Sequence, residues 1–185
     1  RSAPERMLRE AVFRLFPYPN RLRALRGPLR AYQKSGLGRL IRRTGLLERM
    51  SPSLAAMERL APPLSRATRL PERVAARGER RATVAMLTGC VQREFFPGVN
   101  AATARVLAME GCDVLIPRGQ GCCGALSLHS GREDEAREFA RRTVVAFEAA
   151  DVIVVNAAGC GSAMKEYRRL LADEPEWAGR AEALS

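Results

Sequence analysis

Chemistry in this 185-residue chain starts from its cysteines. Four of the five sit beside glycine or beside each other, in Gly89-Cys90, Gly121-Cys122-Cys123-Gly124 and Gly159-Cys160-Gly161. Thirty-one residues separate Cys90 from Cys122, and thirty-six separate Cys123 from Cys160. Cys122 and Cys123 are unsuited to bridging each other, because adjacent Cα atoms lie about 3.8 Å apart, less than the usual disulfide span. Five cysteines are also too few for a disulfide scaffold at this length, so metal or redox chemistry in a reducing compartment is the better reading. Thiolates are soft donors that suit iron–sulfur clusters, zinc or copper(I). Four-thiolate zinc sites usually use two close Cys-x-x-Cys pairs, which adjacent cysteines plus two singles do not form. Gly89, Gly121, Gly124, Gly159 and Gly161 let backbone approach a bulky group and aim N–H groups at sulfur. The competing reading is that the glycines only make turns and the cysteines are buried bystanders.

Convergence of these cysteines depends on the elements that carry them. The apolar run Thr83 to Thr88, ending at Gly89-Cys90, reads as a buried strand. A helix follows, with Pro97 in its first turn, Val99, Ala102, Thr103 and Val106 on one face, and Gly111 at its C-terminal cap. A second strand, Cys112 to Ile116, leads into the loop of Cys122 and Cys123. A helix over about 132–149 turns Ala136, Phe139, Ala140, Val144 and Phe147 inward. A third strand, Asp151 to Val155, leads to Cys160, and a last helix runs from near Gly161 toward Leu171. This alternation predicts an α/β fold, a parallel sheet with flanking helices of Rossmann-like type. All the cysteine loops then lie at the carboxyl edge of the sheet, where open α/β folds bind ligands. Cys112 starts its strand and falls at the opposite edge, as a buried small apolar residue.

The preceding segment differs in kind. Residues 1–81 carry 20 Lys and Arg against 6 Asp and Glu, and residues 82–185 carry 11 against 14, giving +14 and −3 within the total of +11. Eight of the eleven prolines precede residue 82. Helical spacing of Leu8, Val12, Leu15 and Phe16, of Leu22, Leu25 and Leu29, and of Leu40, Ile41, Leu47 and Met50 predicts short helices. Breaks are expected at Pro17, Pro19, Gly27-Pro28, Gly36, Gly38, Pro52, Pro62-Pro63 and Pro71. The expected organisation is therefore an all-α, Pro/Arg-rich basic connector over 1–81 and a cysteine-rich domain over 82–185, as an internal piece of a longer protein. A basic helical segment can bind nucleic acid, lie on an anionic membrane surface or cover a partner subunit. The plainer reading is a solvated linker whose leucines pack locally. No nucleic-acid motif or aromatic interleaving supports nucleic-acid binding.

Near the cysteines, His129 is a proton carrier or merely a polar loop residue. Gln120, Asn156 and Ser162 either reach a bound group or meet their own backbone. Arg118 either balances charge or is solvated. No apolar run is long enough for a membrane-spanning helix. The chain shows no phosphate-binding loop, Ser-His-Asp order or dinucleotide fingerprint.

Taken together, Leu87-Thr88-Gly89-Cys90-Val91-Gln92, Phe95-Phe96-Pro97, the stretch from Pro117 through Cys122-Cys123-Gly124 to His129, and Val155-Asn156-Ala157-Ala158-Gly159-Cys160-Gly161 resemble the cysteine-rich CCG domain family. That family includes the heterodisulfide reductase catalytic subunit and lactate-utilisation proteins. Within it the chain most resembles the iron–sulfur subunits of glycolate oxidase, closely over 82–185 and only in character over the connector. The resemblance implies electron transfer from a flavin-containing partner, which oxidises glycolate to glyoxylate, toward a membrane acceptor. It implies Cys90, Cys122, Cys123 and Cys160 as cluster ligands, with FAD expected only in a partner subunit. It also implies a cytoplasmic location, with possible peripheral contact at the inner membrane face. The fullest form of the motif ends Cys-x-x-Cys, whereas Ala163 occupies the last place here. An ordinary 4Fe-4S cluster, or a site completed by a non-Cys ligand, therefore fits better than a disulfide-cleaving centre. A cluster-based disulfide or thiol reductase and a metal-free α/β interaction module remain the alternatives.

Overall fold

The structure is a computed structural model describing residues 3–65 and 69–185. Five helices come first: α1 (Ala3–Leu15), α2 (Pro19–Lys34), α3 (Leu37–Thr44), α4 (Leu46–Met50) and α5 (Pro52–Leu60). The α/β part follows in the order β1 (Arg73–Val74), β2 (Ala82–Leu87), α6 (Val91–Phe95), α7 (Pro97–Met109), β3 (Cys112–Leu115), α8 (Ala125–Leu128), α9 (Glu133–Phe147), β4 (Ile153–Val155), α10 (Ala158–Lys165), α11 (Tyr167–Leu170) and α12 (Pro175–Leu184).

The sheet order is β1-β3-β2-β4. β2 is central and runs parallel to β3, with Ala82 opposite Cys112, and to β4, with Leu87 opposite Val155. The three anticipated strands thus form the anticipated parallel sheet. β1, two residues that carry no legible strand signal, adds an antiparallel edge to β3 and makes the sheet mixed. Side chains of β2 alternate between faces. Val84 and Met86 pack with Ala104, Val114 and Ile116 on one side. Ala85 and Leu87 pack with Ala136, Ala140, Val144 and Phe147 of α9 and with Met164, Tyr167 and Leu171 on the other. The inward face expected for α9 is therefore the buried one.

Several expectations need correction. Gly38, expected to break a helix, lies inside α3, and the stripe of Leu40, Ile41, Leu47 and Met50 is divided between α3 and α4 at Gly45, whose φ is +62°. α2 runs through Gly27-Pro28 without a break; Pro28 forfeits one helical N–H, and a glycine before it relaxes the usual restriction on the preceding residue. In α7 the buried positions are Pro97, Asn100, Ala104 and Ala108, while Val99 and Val106 are exposed. The inner face is rotated because polar Asn100 reaches inward to donate to the Thr88 carbonyl at 2.9 Å. The connector leucines divide: Leu22 is buried, Leu8, Leu15, Leu29 and Leu47 are half-buried, and Leu25, Leu37, Leu40, Leu46, Leu54 and Leu60 are exposed.

The connector is nonetheless anchored to the α/β part. Phe13 is buried beneath the guanidinium of Arg132, 3.9 Å from its ring centroid. Tyr18 meets Phe139 of α9 edge-on at 6.0 Å, and Arg23 pairs with the buried carboxylate of Glu94 at 3.0 Å. Among the described residues, no helix is long and apolar enough to cross a membrane.

Candidate metal centre

β3 and β4 lie on opposite sides of β2, so the chain reverses its direction across the sheet between β2 and β4. Such a reversal opens a crevice at the carboxyl ends of the strands. The four cysteines sit along that edge. Cys90 follows β2 and caps α6. Cys122 and Cys123 follow β3 and precede α8, and Cys160 follows β4. Cys160 lies within α10 rather than in a loop, as its third residue. All four are free thiols; Cys122 and Cys123 are buried, and Cys90 and Cys160 are half-buried. Cys112 begins β3 at the opposite end of the sheet and is half-buried rather than fully buried.

Two of the sulfurs are in contact, Cys90 Sγ and Cys122 Sγ at 3.5 Å, and the thiols of Cys122 and Cys160 both act on Cys123. Backbone donors face them as well: the Gly124 N–H points at Cys122 Sγ at 3.4 Å, and the Ala125 N–H supports Cys123. The protons are consequently shared unequally. The Cys122 thiol holds the Cys90 thiol below its usual range, and the Cys122 thiol, followed by that of Cys160, does the same for Cys123. Cys122 and Cys160 are pushed up, first by their hydrogen bonds to Cys123. Four sulfurs gathered in this way make a soft donor set.

The surrounding backbone fits a bulky group. Gly124 must be glycine, because its φ is +81° and a Cβ would lie 3.1 Å from Phe139 Cβ and 3.2 Å from the Ala136 carbonyl oxygen. Gly121 and Gly159 have no such reason: a Cβ on either would meet no protein atom within 4 Å. Among the described residues, no three His, Cys, Asp or Glu side chains close around one point as a single ion requires. A polynuclear iron–sulfur group takes thiolates at different iron atoms, so its donors can be spread more widely. The soft donor chemistry of four cysteine sulfurs suits an iron–sulfur cluster.

The neighbouring polar residues divide. Gln120 is buried and occupied by the protein itself: its Oε1 accepts from Thr88 N at 2.7 Å and Thr88 Oγ1 at 3.0 Å, and its Nε2 donates to the Met86 and Pro117 carbonyls. Asn156 likewise bonds to Gln92, Asn100 and Thr103. Ser162 lines a separate hollow against α9 and α12. His129 caps α8 beside Glu5, Arg9 and Ser130. Arg118 pairs with Glu72, in a cleft of about 690 Å³ that no cysteine lines. Two supporting residues carried no local signal. Asn100 was hidden in a stretch read by its apolar neighbours. Tyr167 is 1% exposed and donates to the Cys123 carbonyl at 2.6 Å; an aromatic seven residues after a cysteine does not reveal such a bond.

Residues 84–165 match the family described as the cysteine-rich domain, and residues 4–61 match the linker region of the glycolate oxidase iron-sulfur subunit. The chain is 38% identical over 188 residues to a probable glycolate oxidase iron-sulfur subunit of Bacillus subtilis (strain 168), covering 98% of this chain and 42% of the relative. It is 34% identical over 190 residues to the glycolate oxidase iron-sulfur subunit of Escherichia coli (strain K12), covering 100% of this chain and 42% of the relative. It is 37% identical over 102 residues to lactate utilization protein A of Shouchella clausii, covering 55% of this chain and 43% of the relative. The chain thus spans about two fifths of the length of these relatives. No solved structure matches it.

Proposed function

Because the chain belongs to the family of glycolate oxidase iron-sulfur subunits, joining their linker region to a cysteine-rich domain, we propose that it binds an iron–sulfur cluster and carries electrons within an oxidoreductase complex. The ligands are Cys90, Cys122, Cys123 and Cys160, and the group is a 4Fe-4S cluster. When bound, it supplies one reversible electron at a time. The single observation behind this reading is the gathering of four sulfurs from three segments at one sheet edge, with Cys90 and Cys122 at 3.5 Å.

The residues around the sulfurs have separable tasks. The N–H groups of Gly124 and Ala125 place positive charge against Cys122 and Cys123, which favours thiolate over thiol and tunes a bound cluster. Gly121 and Gly159, next to Cys122 and Cys160 in the chain, carry no side chain that could crowd a bound group. Tyr167 pins the backbone of Cys123 from beneath. These groups hold and orient the sulfurs, and the chain serves as a subunit of the oxidoreductase complex, with the oxidation of substrate assigned to a partner. In the complex, a flavin-containing partner removes two electrons from glycolate as glyoxylate forms, and the electrons pass on toward a membrane acceptor. The organisation that supports this is a connector over 1–81 and a cysteine-rich domain over 82–185, working in the cytoplasm at the inner membrane face. Ala163 is fully buried in α10 and offers no fifth donor, which disfavours the alternative of a disulfide-cleaving centre.

Iron and acid-labile sulfide, assayed after anaerobic purification or reconstitution, test the proposal. About four of each per chain are expected. A chain that takes up neither is a metal-free interaction module. A reduced-cluster spin-resonance spectrum that changes on adding a thiol substrate would favour the reductase instead.

A further inference from the structure

The three cysteine-bearing segments are tied together by one continuous chain of polar side chains. Thr88, at the end of β2 and two residues before Cys90, donates through N and Oγ1 to Gln120 Oε1, two residues before Cys122. The carbonyl of the same Thr88 accepts from Asn100 Nδ2 at 2.9 Å. Asn100 Oδ1 then accepts from Gln92 Nε2 at 2.8 Å and from Asn156 Nδ2 at 3.1 Å. Gln92 Nε2 also donates to Asn156 Oδ1, and Asn156 Nδ2 to Thr103 Oγ1 at 3.0 Å. Asn156 stands four residues before Cys160. Thr88, Asn100 and Gln120 are each no more than 5% exposed. Each segment therefore contributes at least one member: Thr88 and Gln92 for Cys90, Gln120 for Cys122 and Cys123, and Asn156 for Cys160, with Asn100 of α7 joining them.

β2, β3 and β4 are short, and β4 has only three residues. Sheet hydrogen bonds end before the cysteines begin, so they do not hold the loops against one another. The side-chain network spans that gap. Buried networks of this kind make a unique arrangement rigid when every member is satisfied. Gln120 meets this condition, with two bonds at its oxygen and two at its nitrogen.

We propose that Asn100 and Asn156 are positioning residues, which hold the Cys160 segment in register with the Cys90 and Cys122–Cys123 segments before any group binds. This rests on the reading of the four cysteines as one donor set, and the two ideas can fail separately. Neither asparagine donates to a cysteine sulfur; they act through the backbone that carries the thiols.

The test uses Asn156→Ala and the near-isosteric Asn156→Asp, which keeps an acceptor for Gln92 but loses both donated bonds. Thr103→Val, which removes the outermost bond of the network together with the Thr103 Oγ1 bond to the Val99 carbonyl inside α7, serves as the reference. In the metal-free, reduced chain, the alkylation rate of each cysteine by iodoacetamide is followed by peptide mass spectrometry. Cys160 should react several-fold faster in both Asn156 variants, with Cys112 unchanged and the Thr103→Val rates as in the wild type. In the reconstituted chain, iron loss to a chelator should accelerate by up to about 10-fold, the lower end of the effect of removing a group bonded directly to a ligand. Unchanged Cys160 alkylation in a folded Asn156 variant overturns the proposal. Loss of cooperative melting in both variants also overturns it, because the network would then support the whole fold rather than the site. If the wild-type chain takes up no iron while the Asn156 variants still expose Cys160, the cluster reading falls and the positioning role stands.

Discussion

Replacing Tyr167 by Phe removes one oxygen atom from the interior and leaves everything else in place. The ring is 1% exposed, and its hydroxyl gives the Cys123 carbonyl a hydrogen bond of 2.6 Å. Burial pushes the phenol well above its ordinary pKa, so it stays a neutral donor at any working pH. Phenylalanine fills the same volume, so no large cavity term arises. What changes is that a buried carbonyl loses its donor, at a cost of about 1–3 kcal/mol. For a chain of this length each kcal/mol shifts melting by about 2–4 °C, so Tyr167→Phe should melt about 2–12 °C lower. Circular dichroism of the metal-free chain reads this directly. Tyr167→Leu, which also opens a cavity, should lose more. Because the lost bond belongs to the backbone of Cys123, the same variant should retain iron less well. A Tyr167→Phe chain that melts with the wild type would refute the reasoning, since the hydroxyl would then do nothing that water does not.

Gly124→Ala should lower the melting temperature by about 2–8 °C, from a left-handed backbone costing about 1–2 kcal/mol, whereas Gly121→Ala should melt as the wild type yet take up less iron, as measured by reconstitution. Equal iron uptake by Gly121→Ala would show that the open space beside Cys122 is not used. Asp113 is held below its ordinary pKa by the Ala76 N–H and then by Arg73, so its contribution is present above about pH 4 and fades as pH falls through the depressed value. Denaturant midpoints of wild type and Asp113→Asn should therefore differ near neutrality and converge in strong acid; a gap independent of pH would contradict this.

What could be read from the residues was the set of long, periodic elements. Ala136, Phe139, Ala140, Val144 and Phe147 show one helical stripe, and that stripe is buried. The run before Gly89 has the length and composition of a central strand, and β2 is central. The cysteine placement followed from those strands alone, because in a parallel sheet the strand ends share one edge. Elements without a pattern of their own were not legible. β1 is two residues that pair only because Leu115 and Val114 present an edge to them. The inner face of α7 is chosen by a hydrogen bond from Asn100, which periodicity of apolar residues does not register. Pro28 continues α2 where local rules say stop. In the site, the polar scaffold joins side chains 8 to 64 positions apart, from Gln92 with Asn100 to Gln92 with Asn156, and only their meeting in space makes them a unit.

The central claim concerns which sulfurs grip the cluster, and serine substitution of each cysteine in turn tests it most directly. Iron stoichiometry and the reduced-state spin-resonance signal should collapse in Cys90→Ser, Cys122→Ser, Cys123→Ser and Cys160→Ser. Both should survive intact in Cys112→Ser, whose thiol lies at the far end of β3. A full signal in Cys160→Ser, or its loss in Cys112→Ser, would contradict the assignment.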